Sequence, residues 1–450
     1  MAGLFSKAQR AQIDATAVKS EQPLKKTSVN HKSINNDLNR ISQEVLEYFK
    51  DSSAILIHNV NELHDYISNM IDAKYGALDC ETTGLDRIND NVVGFSLYYP
   101  GGEECYIPIK HIRPIVDELR PNQLTYEECR SELQRLVDNK VRLVFANADF
   151  DLAMMYKNFK VDLCSICYYD VILAWRCLKE NEKSNKLKDL YHKYVLKGEG
   201  ESKQFSDFFP VNLFPYCNPD IAKLYAANDA KITYELFLWQ LPYVMKDNPK
   251  CKSKGLENIA DLVWNIEMPL IKTCQMMHRN GVYLDKSISD RLNEKYDNEF
   301  NSEVEKLRGM VQDILDNPKY HSRAKRPFNS SIDFNYNSTK HVTYLLYSLM
   351  NLPTGKGGQS TDKEILRDFN LPITNQLLKV RSLSTLISTF VKKLPNATSS
   401  DSRIHCQFKQ IGADTGRLSS ADPNMQNIPS KSKDIRRMFR ATPGYVMLSS

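Results

Sequence analysis

Five residues in three short segments have the types and the spacing of a metal-dependent hydrolytic site. Asp79 and Glu81 are two residues apart at the end of a strand-like run, so both side chains lie on one face of the predicted strand. Asp151 follows a second apolar run, and Tyr225 and Asp229 are four residues apart on a predicted helix, which places them on one helix face. Four carboxylates brought together repel one another strongly unless hard divalent cations neutralise them.

The chemistry that such a cluster supports is hydrolysis of a phosphodiester with two Mg²⁺ ions, with Mn²⁺ as the alternative ion. Two ions roughly 4 Å apart activate a water molecule and stabilise the departing 3′ oxygen. Each segment is a weak signal by itself, because Asp-x-Glu and Tyr-x-x-x-Asp recur by chance. Their order, with a strand or a helix under each, is jointly specific. The alternative interpretation is a set of solvated acids on an ordinary α/β domain.

In this order the three segments resemble the proofreading 3′–5′ exonuclease domain of the family A DNA polymerases, the group of bacterial DNA polymerase I and its phage relatives. The resemblance implies a ribonuclease-H-like fold in which the four carboxylates are the metal ligands. It also implies that Tyr225 orients the attacking water, and that Leu85 and Asn147 contact the terminal nucleotide. No acidic position departs from the family pattern, which argues against a decayed domain.

A second set of motifs lies near the carboxyl end and resembles the polymerase region of the same family. Residues 415–420 read Thr-Gly-Arg-Leu-Ser-Ser, residues 423–429 read Pro-Asn-Met-Gln-Asn-Ile-Pro, and residues 435–439 read Ile-Arg-Arg-Met-Phe. In the family, the strand that 444–450 would open ends in an Asp that holds the catalytic metals. The sequence stops at that point, so we expect nucleotide addition to need the rest of the palm and the fingers. Three possibilities stay open: a second chain supplies them, splicing of an interrupted gene joins them, or they are absent because the chain is a truncation.

Basic residues in the helical region between these motifs are candidates for contacts with DNA phosphates. Such contacts position the duplex without specifying its sequence. The candidates are Lys340, Arg381, Lys392 and Lys393. For Lys340 and Lys392 a solvated helix face is an equally good interpretation.

Three polar residues in the carboxyl-terminal motifs suit a different task. A polymerase has to accept any sequence, and the minor groove offers nearly the same acceptors from every correct base pair. Arg417, Gln426 and Asn427 are polar donors on a loop bounded by Gly and Pro, so we predict that they read this groove. Arg436 lies near the expected palm strand and is predicted to touch a template or primer phosphate.

The elements that must position these residues change character along the chain. Before residue 250 strands and helices alternate, which indicates an α/β domain with a mixed sheet flanked by helices. Predicted strands cover 54–57, 75–80, 91–99 and 141–146; predicted helices cover 60–70, 126–137, 151–158, 170–178 and 220–240. After residue 256 the pattern is almost entirely helical, with helices at 266–279, 285–316, 338–350, 362–370 and 376–393.

These patterns and the resemblance divide the chain into four parts. Residues 1–52 are predicted to be a polar mobile tail with one short helix near 36–49. Residues 53–250 form the exonuclease domain, residues 251–405 the helical thumb, and residues 406–450 the opening of an α+β palm.

Composition and charge agree with a nucleic-acid enzyme. Residues 53–250 carry 23 basic and 29 acidic residues, whereas residues 251–450 carry 29 and 20, so an acidic middle precedes a basic end. No apolar run is long enough to span a bilayer, and the start lacks the apolar core of a secretory signal. Ten scattered cysteines fit reduced thiols. We therefore expect a cytoplasmic protein without a membrane partner, located in the host cytoplasm if a phage encodes it.

The sequence therefore predicts the amino-terminal part of a family A DNA polymerase acting in DNA replication. Its partners would be primer-template and single-stranded DNA. Two alternatives stay open at this point: a free-standing 3′–5′ exonuclease of the ribonuclease D type, and a non-catalytic DNA-binding fragment. The motif run at 415–429 argues against the first alternative, and the intact acids argue against the second.

Overall fold

The structure, a computed structural model, describes residues 31–448 except 115, 180, 183, 211–212, 355–357, 414 and 430–431. The described residues divide into two compact units. The first, here called the sheet unit, contains residues 31–280 together with Gln407–Ser420. The second, the helical unit, contains Gly281–Cys406 and residues 421–448. The sequence placed its domain boundary at 250; the packing instead keeps the helices up to Asn280 with the sheet.

A six-stranded mixed sheet is the centre of the sheet unit. Its strands are β1 (Ile55–Leu56), β2 (Tyr75–Thr82), β3 (Val92–Tyr98), β4 (Cys105–Pro108), β5 (Arg142–Phe145) and β6 (Cys167–Asp170). They lie in the order β1-β4-β3-β2-β5-β6, and β3 runs antiparallel to both of its neighbours while the remaining pairs are parallel. The predicted α/β architecture with a mixed sheet is thus confirmed. The edge strand β6 was not predicted, because its four residues have no clear alternation.

Helices cover this sheet. They are α1 (His31–Tyr48), α2 (Val60–Ala73), α3 (Tyr126–Asp138), α4 (Ala148–Phe159), α5 (Val171–Leu178), α6 (Leu187–Leu190), α7 (Phe205–Phe208), α8 (Pro219–Val244), α9 (Pro249–Ser253), α10 (Glu257–Leu262) and α11 (Met268–Asn280). The longest, α8, begins with Pro219 in its first turn after the capping residue Asn218, a position where Pro is favoured. It packs across β2 and β3.

The amino-terminal helix α1 corrects the prediction of a mobile tail up to residue 52. Residues 1–30 lie outside the described residues, but α1 is longer than the predicted helix at 36–49. Its Ile41 and Val45 are fully buried in a core that also contains Ala226 and Ala227 of α8. The polar composition hid this, since only one narrow face of α1 is apolar.

The helical unit is built on one long helix, as the sequence predicted. Its elements are β7 (Val282–Tyr283), α12 (Lys286–Asp316), α13 (Thr339–Thr343), α14 (Lys363–Phe369), α15 (Pro372–Leu386), α16 (Lys393–Asn396), β8 (Arg403–Ile404) and α17 (Lys433–Arg437). Asp285 caps α12 by accepting hydrogen bonds from the backbone N–H groups of Ser287 and Ile288. Leu307 and Val311 of α12 are buried against Leu377 of α15.

Two short strands, β9 (Gln407–Lys409) and β10 (Ser419–Ala421), pair where the palm was predicted to open. Residues 440–448 contain no strand in the described structure, and Val446 and Leu448 are exposed. No helix among the described residues is both long and apolar enough to cross a membrane.

Glu303 joins α12 to α15 through a group of charged hydrogen bonds. Its carboxylate accepts from Lys306 Nζ at 2.7 Å and from Gln376 Nε2 at 2.8 Å, and it pairs with Lys379 Nζ at 3.0 Å. These donors lower the pKa of Glu303 from 4.5 to about 2. The stabilisation that they give is therefore fully present above pH 4.5 and is lost as the pH falls through about 2.

We predict that Glu303→Gln lowers the midpoint of chemical unfolding of the helical unit at pH 7, because it removes the charge that these donors stabilise. The difference from the wild type should narrow at pH 3, because the Glu303 carboxylate is protonated there in the unfolded chain but still mostly ionised in the folded one, which favours unfolding. The measurement is far-ultraviolet circular dichroism during urea unfolding. Glu305→Gln, two residues further and exposed, is the matched control and should change the stability by no more than about 0.5 kcal/mol. An equal difference at both pH values would contradict the prediction.

Candidate active site

The end of strand β2 presents the first two predicted ligands. Asp79 pairs with Ser96 of β3 and Glu81 with Gly94, so the two acidic side chains share one face of the sheet. Cys80, between them, points into the core on the opposite face. The register shifts between Glu81 and Thr82, where the strand leaves its regular pairing. The spacing of two residues thus places both acids on one face of β2, as the sequence predicted.

Helix α8 brings a third carboxylate to this face. Asp229 contributes one oxygen that lies within 4.8 Å of one oxygen from each of Asp79 and Glu81. Asp229 is far from the other two in sequence, and only the packing of α8 across β2 brings the three together. The set is an all-oxygen donor group of the kind that a hard divalent cation takes.

The fourth predicted ligand, Asp151, lies beside the trio but outside that distance. It stands on α4, is almost fully buried, and its Oδ1 accepts the backbone N–H of Cys80 at 3.1 Å. This hydrogen bond ties α4 to the strand that carries Asp79 and Glu81. The structure therefore brings all four acids to one region and gathers three of them closely.

Burial and the neighbouring negative charges raise the pKa values of the acids in this cluster. Burial, followed by repulsion from Asp151, Asp229 and Glu81, raises the pKa of Asp79 well above its usual value. Burial and then the charge of Asp229 raise the pKa of Glu81 to about 8. Burial likewise raises the pKa of Asp151 to about 7.

One oxygen of the cluster already contacts a cation. The Nζ of Lys188 lies 3.0 Å from the buried Oδ1 of Asp229. The charge of the acids and their oxygen donors nevertheless fit a divalent cation.

Tyr225 lies one helical turn before Asp229 and is nearly fully buried. Burial and the charge of Asp229 raise the pKa of its hydroxyl well above the usual value, so the hydroxyl keeps its proton. Four aromatic rings surround the Tyr225 ring with centroid separations between 5.3 and 6.3 Å: Phe49, Phe205, Phe208 and Phe209. This cage fixes the ring while its hydroxyl faces the acids.

Lys188 is a residue of this site that the sequence did not reveal. It stands on the short helix α6, donates a hydrogen bond to the Tyr225 hydroxyl, and its Nζ is 3.5 Å from the centroid of the Tyr225 ring. The run 186–190 has neither a motif nor a periodicity that would have singled out this lysine. Only the return of α6 against α8 places its ammonium among the acids.

A buried clasp supports α4 from behind the acids. Arg87 pairs with Asp149 Oδ2 at 2.6 Å, and Gln275 of α11 donates to both the carboxylate and the carbonyl of Asp149 at 2.7 Å. The Arg87 side chain is only 6 % exposed, so Asp149 rather than water stabilises its buried positive charge. Asp149 is two residues before Asp151, and the clasp therefore holds the first turn of the helix that carries this acid.

We predict that Asp149→Ala destabilises the sheet unit by about 3 kcal/mol, because it leaves the buried charge of Arg87 without its partner. Trp fluorescence during urea unfolding measures this unit selectively, since Trp175, Trp239 and Trp264 all belong to it. The double variant Arg87→Met with Asp149→Ala should recover part of the loss. If the double variant were as unstable as the sum of both single variants, the two residues would not act as a pair.

The two residues predicted to contact a terminal nucleotide lie on the loops that border the acids. Leu85 lies in the loop after β2 and is 80 % exposed, so its apolar side chain is available for contact. Asn147 immediately precedes α4 and adopts a left-handed backbone conformation with φ of 73°, and its backbone N–H donates to Asp170. Their role in binding DNA stays a prediction.

The predicted DNA contacts of the helical unit differ in availability. Lys340 and Arg436 are exposed, and Arg436 shares an open groove with three further cations: Lys433, Arg437 and Arg440. Arg381 is half-buried and donates hydrogen bonds at 2.8 Å to the carbonyls of Tyr336 and Thr361. Two of its donor nitrogens thus hold the chain together internally, a use that the sequence could not show.

The remaining candidates lie on helix ends and on the loops near the carboxyl end. Lys393 is exposed at the start of α16, and Lys392, the weaker phosphate candidate, pairs with Asp297 at 3.1 Å on the surface. Arg417 is exposed in the sheet unit, and Gln426 and Asn427 are exposed in the helical unit.

Comparisons with known proteins place the two regions in families. Residues 55–239 match the family model described as 3′–5′ exonuclease, and residues 295–450 match the model described as DNA polymerase family A. The DNA polymerase I of Treponema pallidum (strain Nichols) is 28 % identical over 420 residues, which cover 83 % of this chain and 38 % of that protein. The DNA polymerase I of Borreliella burgdorferi is 27 % identical over 424 residues, covering 92 % of this chain and 41 % of that protein.

A solved structure with a similar fold is the polymerase domain of Pol1 from M. smegmatis in complex with DNA primer-template and dNTP. The TM-score is 0.60 at 19 % sequence identity, with 87 % of this chain and 59 % of that chain covered. At this identity the likeness concerns the fold alone. This chain spans about two-fifths of the length of the two curated relatives.

The two matches therefore give a region similar to 3′–5′ exonucleases followed by a region similar to family A polymerases. Residues 295–450 match DNA polymerase family A, and the chain as a whole is similar to DNA polymerase I. This finding favours the main prediction over a free-standing exonuclease and over an unrelated DNA-binding fragment. Both curated relatives are bacterial proteins, and the phage-like character stays a prediction.

Proposed function

We propose that this chain removes nucleotides from the 3′ end of DNA by divalent-metal-dependent hydrolysis and so proofreads primer ends during DNA replication. The observation that carries this proposal is the convergence of Asp79, Glu81 and Asp229 within 4.8 Å, with Asp151 tied to the same strand. The match of residues 55–239 to the 3′–5′ exonuclease family model supports it.

The four acids are the proposed holders of two Mg²⁺ ions, with Mn²⁺ as an alternative. When bound, such ions neutralise the carboxylates and supply Lewis-acid stabilisation of the charge that develops on the phosphate. Tyr225 keeps its hydroxyl protonated, so it serves as a hydrogen-bonding group that orients a water molecule rather than as a base. The aromatic cage limits the movement of this hydroxyl.

The proposed substrate is the single-stranded 3′ end of a primer. Leu85, exposed on the loop after β2, offers an apolar surface for a terminal base, and Asn147 offers a polar edge. Primer-template DNA is the proposed partner of the polymerase region, and the likeness of the fold to a polymerase domain solved with primer-template supports this proposal. The idea of a second chain that completes the palm and fingers stays a prediction.

We predict that Asp79→Ala lowers the rate of 3′ trimming at least about a hundredfold, since even residues that only orient metal ligands contribute ten- to a hundredfold. The substrate is an end-labelled primer with a 3′ mismatch on a template, with Mg²⁺ present and with or without the four deoxynucleotides. Wild-type protein should shorten the primer. Extension in the presence of deoxynucleotides would add nucleotide transfer to its activities.

Asp72→Ala on the surface of α2 is the matched control for this assay and should trim at the wild-type rate. Calorimetric titration with Mg²⁺ provides the second readout, in which Asp79→Ala should bind more weakly. If Asp79→Ala trimmed primers as fast as the wild type, the acidic cluster would not be the hydrolytic centre.

A separate prediction concerns duplex binding by the polymerase region. Arg417→Ala should weaken the binding of a primer-template duplex about tenfold, equivalent to about 1.4 kcal/mol, because it removes a donor to the minor groove or to phosphate. Fluorescence anisotropy at several salt concentrations measures this. Arg40→Ala on the surface of α1 serves as the control for the loss of one positive charge. Equal affinities for the wild type and Arg417→Ala at moderate salt would remove Arg417 from the interface.

A further inference from the structure

The acidic cluster of the sheet unit contains a cation of its own. The Lys188 side chain is 11 % exposed, and its Nζ lies 3.0 Å from Asp229 Oδ1 while it donates to the Tyr225 hydroxyl. It also lies over the face of the Tyr225 ring, at 3.5 Å from the centroid. One ammonium therefore contacts a proposed metal ligand and the proposed water-orienting residue at the same time.

The charge balance explains why an ammonium is found there. Three carboxylates within 4.8 Å, with a fourth close by, would destabilise the fold if all were ionised and unpaired. A lysine ammonium is a compact point charge with three donors, so it can stand among several oxygens without a fixed geometry. Its Nζ lies 3.0 Å from Asp229, whose oxygen is in turn within 4.8 Å of oxygens of Asp79 and Glu81.

We propose that Lys188 is the resident counter-cation of the metal site: it stabilises the metal-free cluster, competes with divalent cations for Asp229, and positions the Tyr225 hydroxyl. This inference rests on the proposed metal-dependent function of the same acids. Lys188 is a positioning residue, because it acts through Asp229 and Tyr225.

A purely structural salt bridge would behave differently. Such a bridge would contribute the same stability whether or not a divalent ion is bound, and its loss would leave metal affinity unchanged. A resident counter-cation matters most when the metal is absent, because a bound ion takes over the neutralisation of the acids. The two roles therefore differ in how the effect of a substitution depends on metal.

The test compares Lys188→Met with Lys193→Met. Lys193 follows on the same stretch of chain, is 55 % exposed and pairs with Glu182 away from the acids, so it controls for the loss of a lysine. Thermal unfolding of the full chain is measured by Trp fluorescence in EDTA and in saturating Mg²⁺. Lys188→Met should unfold at a lower temperature than the wild type in EDTA and recover most of this loss in Mg²⁺, whereas Lys193→Met should match the wild type in both.

Calorimetric titration with Mg²⁺ gives the second readout. Lys188→Met should bind the ion about tenfold more tightly than the wild type, because removal of one positive charge near the cluster deepens its negative potential. Unchanged or weaker binding would overturn the competition between Lys188 and the ion. An equal loss of thermal stability with and without Mg²⁺ would overturn the role of counter-cation and leave a structural salt bridge.

Testing Lys188→Met in a second variant, Asp229→Asn, distinguishes a specific effect on the acids from a general failure to fold. In Asp229→Asn one negative charge is absent, so the further substitution Lys188→Met should lower the unfolding temperature in EDTA by much less than it does in the wild-type background. A loss of the same size in both backgrounds would contradict the proposal, because the lysine would then not act through Asp229.

Failure of this inference is distinguishable from failure of the proposed function. Wild-type protein that binds neither Mg²⁺ nor Mn²⁺ would overturn the proposed function. It would also overturn the proposed competition between Lys188 and the ion. Wild-type protein that binds the ion but does not trim DNA would overturn the exonuclease alone, and the comparison of Lys188→Met with Lys193→Met would still decide the role of Lys188.

Discussion

The mutual repulsion of carboxylates at the end of strand β2 is the constraint on which the sheet unit depends. Asp79 and Glu81 are held on one face by β2, and α8 brings Asp229 to within 4.8 Å of them. Their raised pKa values show that the fold, left metal-free, opposes the ionised state of its own site. The surrounding structure has to hold these groups against that repulsion, and an arrangement that is unfavourable alone is well suited to a divalent cation.

Three kinds of contact resist the repulsion. The hydrogen bond from the backbone of Cys80 to Asp151 fastens α4 to β2, and the Arg87–Asp149 pair fastens the first turn of α4 from behind. Aromatic rings enclose Tyr225, and one of them, Phe49, comes from the segment before residue 55, where the exonuclease family match begins. The segment that carries α1 is thus part of the support of the site.

In the polymerase region, the tertiary structure decides which charged residues are available for binding. Arg381 and Lys393 are equivalent as basic residues in the sequence, yet Arg381 donates to two carbonyls within the helical unit while Lys393 is exposed. Glu303 likewise serves as a joint between α12 and α15, with lysine and glutamine donors from both helices. Charge patterning in a sequence identifies candidates for binding, but burial decides which of them remain available.

The sequence by itself indicated the likeness to family A DNA polymerases, the α/β character of the first half, the long helix α12 and the shared face of Asp79 and Glu81. The elements and the shared face follow from local spacing, because periods of two and of about 3.6 residues fix which side chains lie together. The tertiary structure alone decided that α1 is packed, that β6 closes one edge of the sheet, and that Lys188 stands among the acids. Each of these depends on contacts between segments that are far apart in the sequence. The local spacing of residues carries no information about which distant segments pack together.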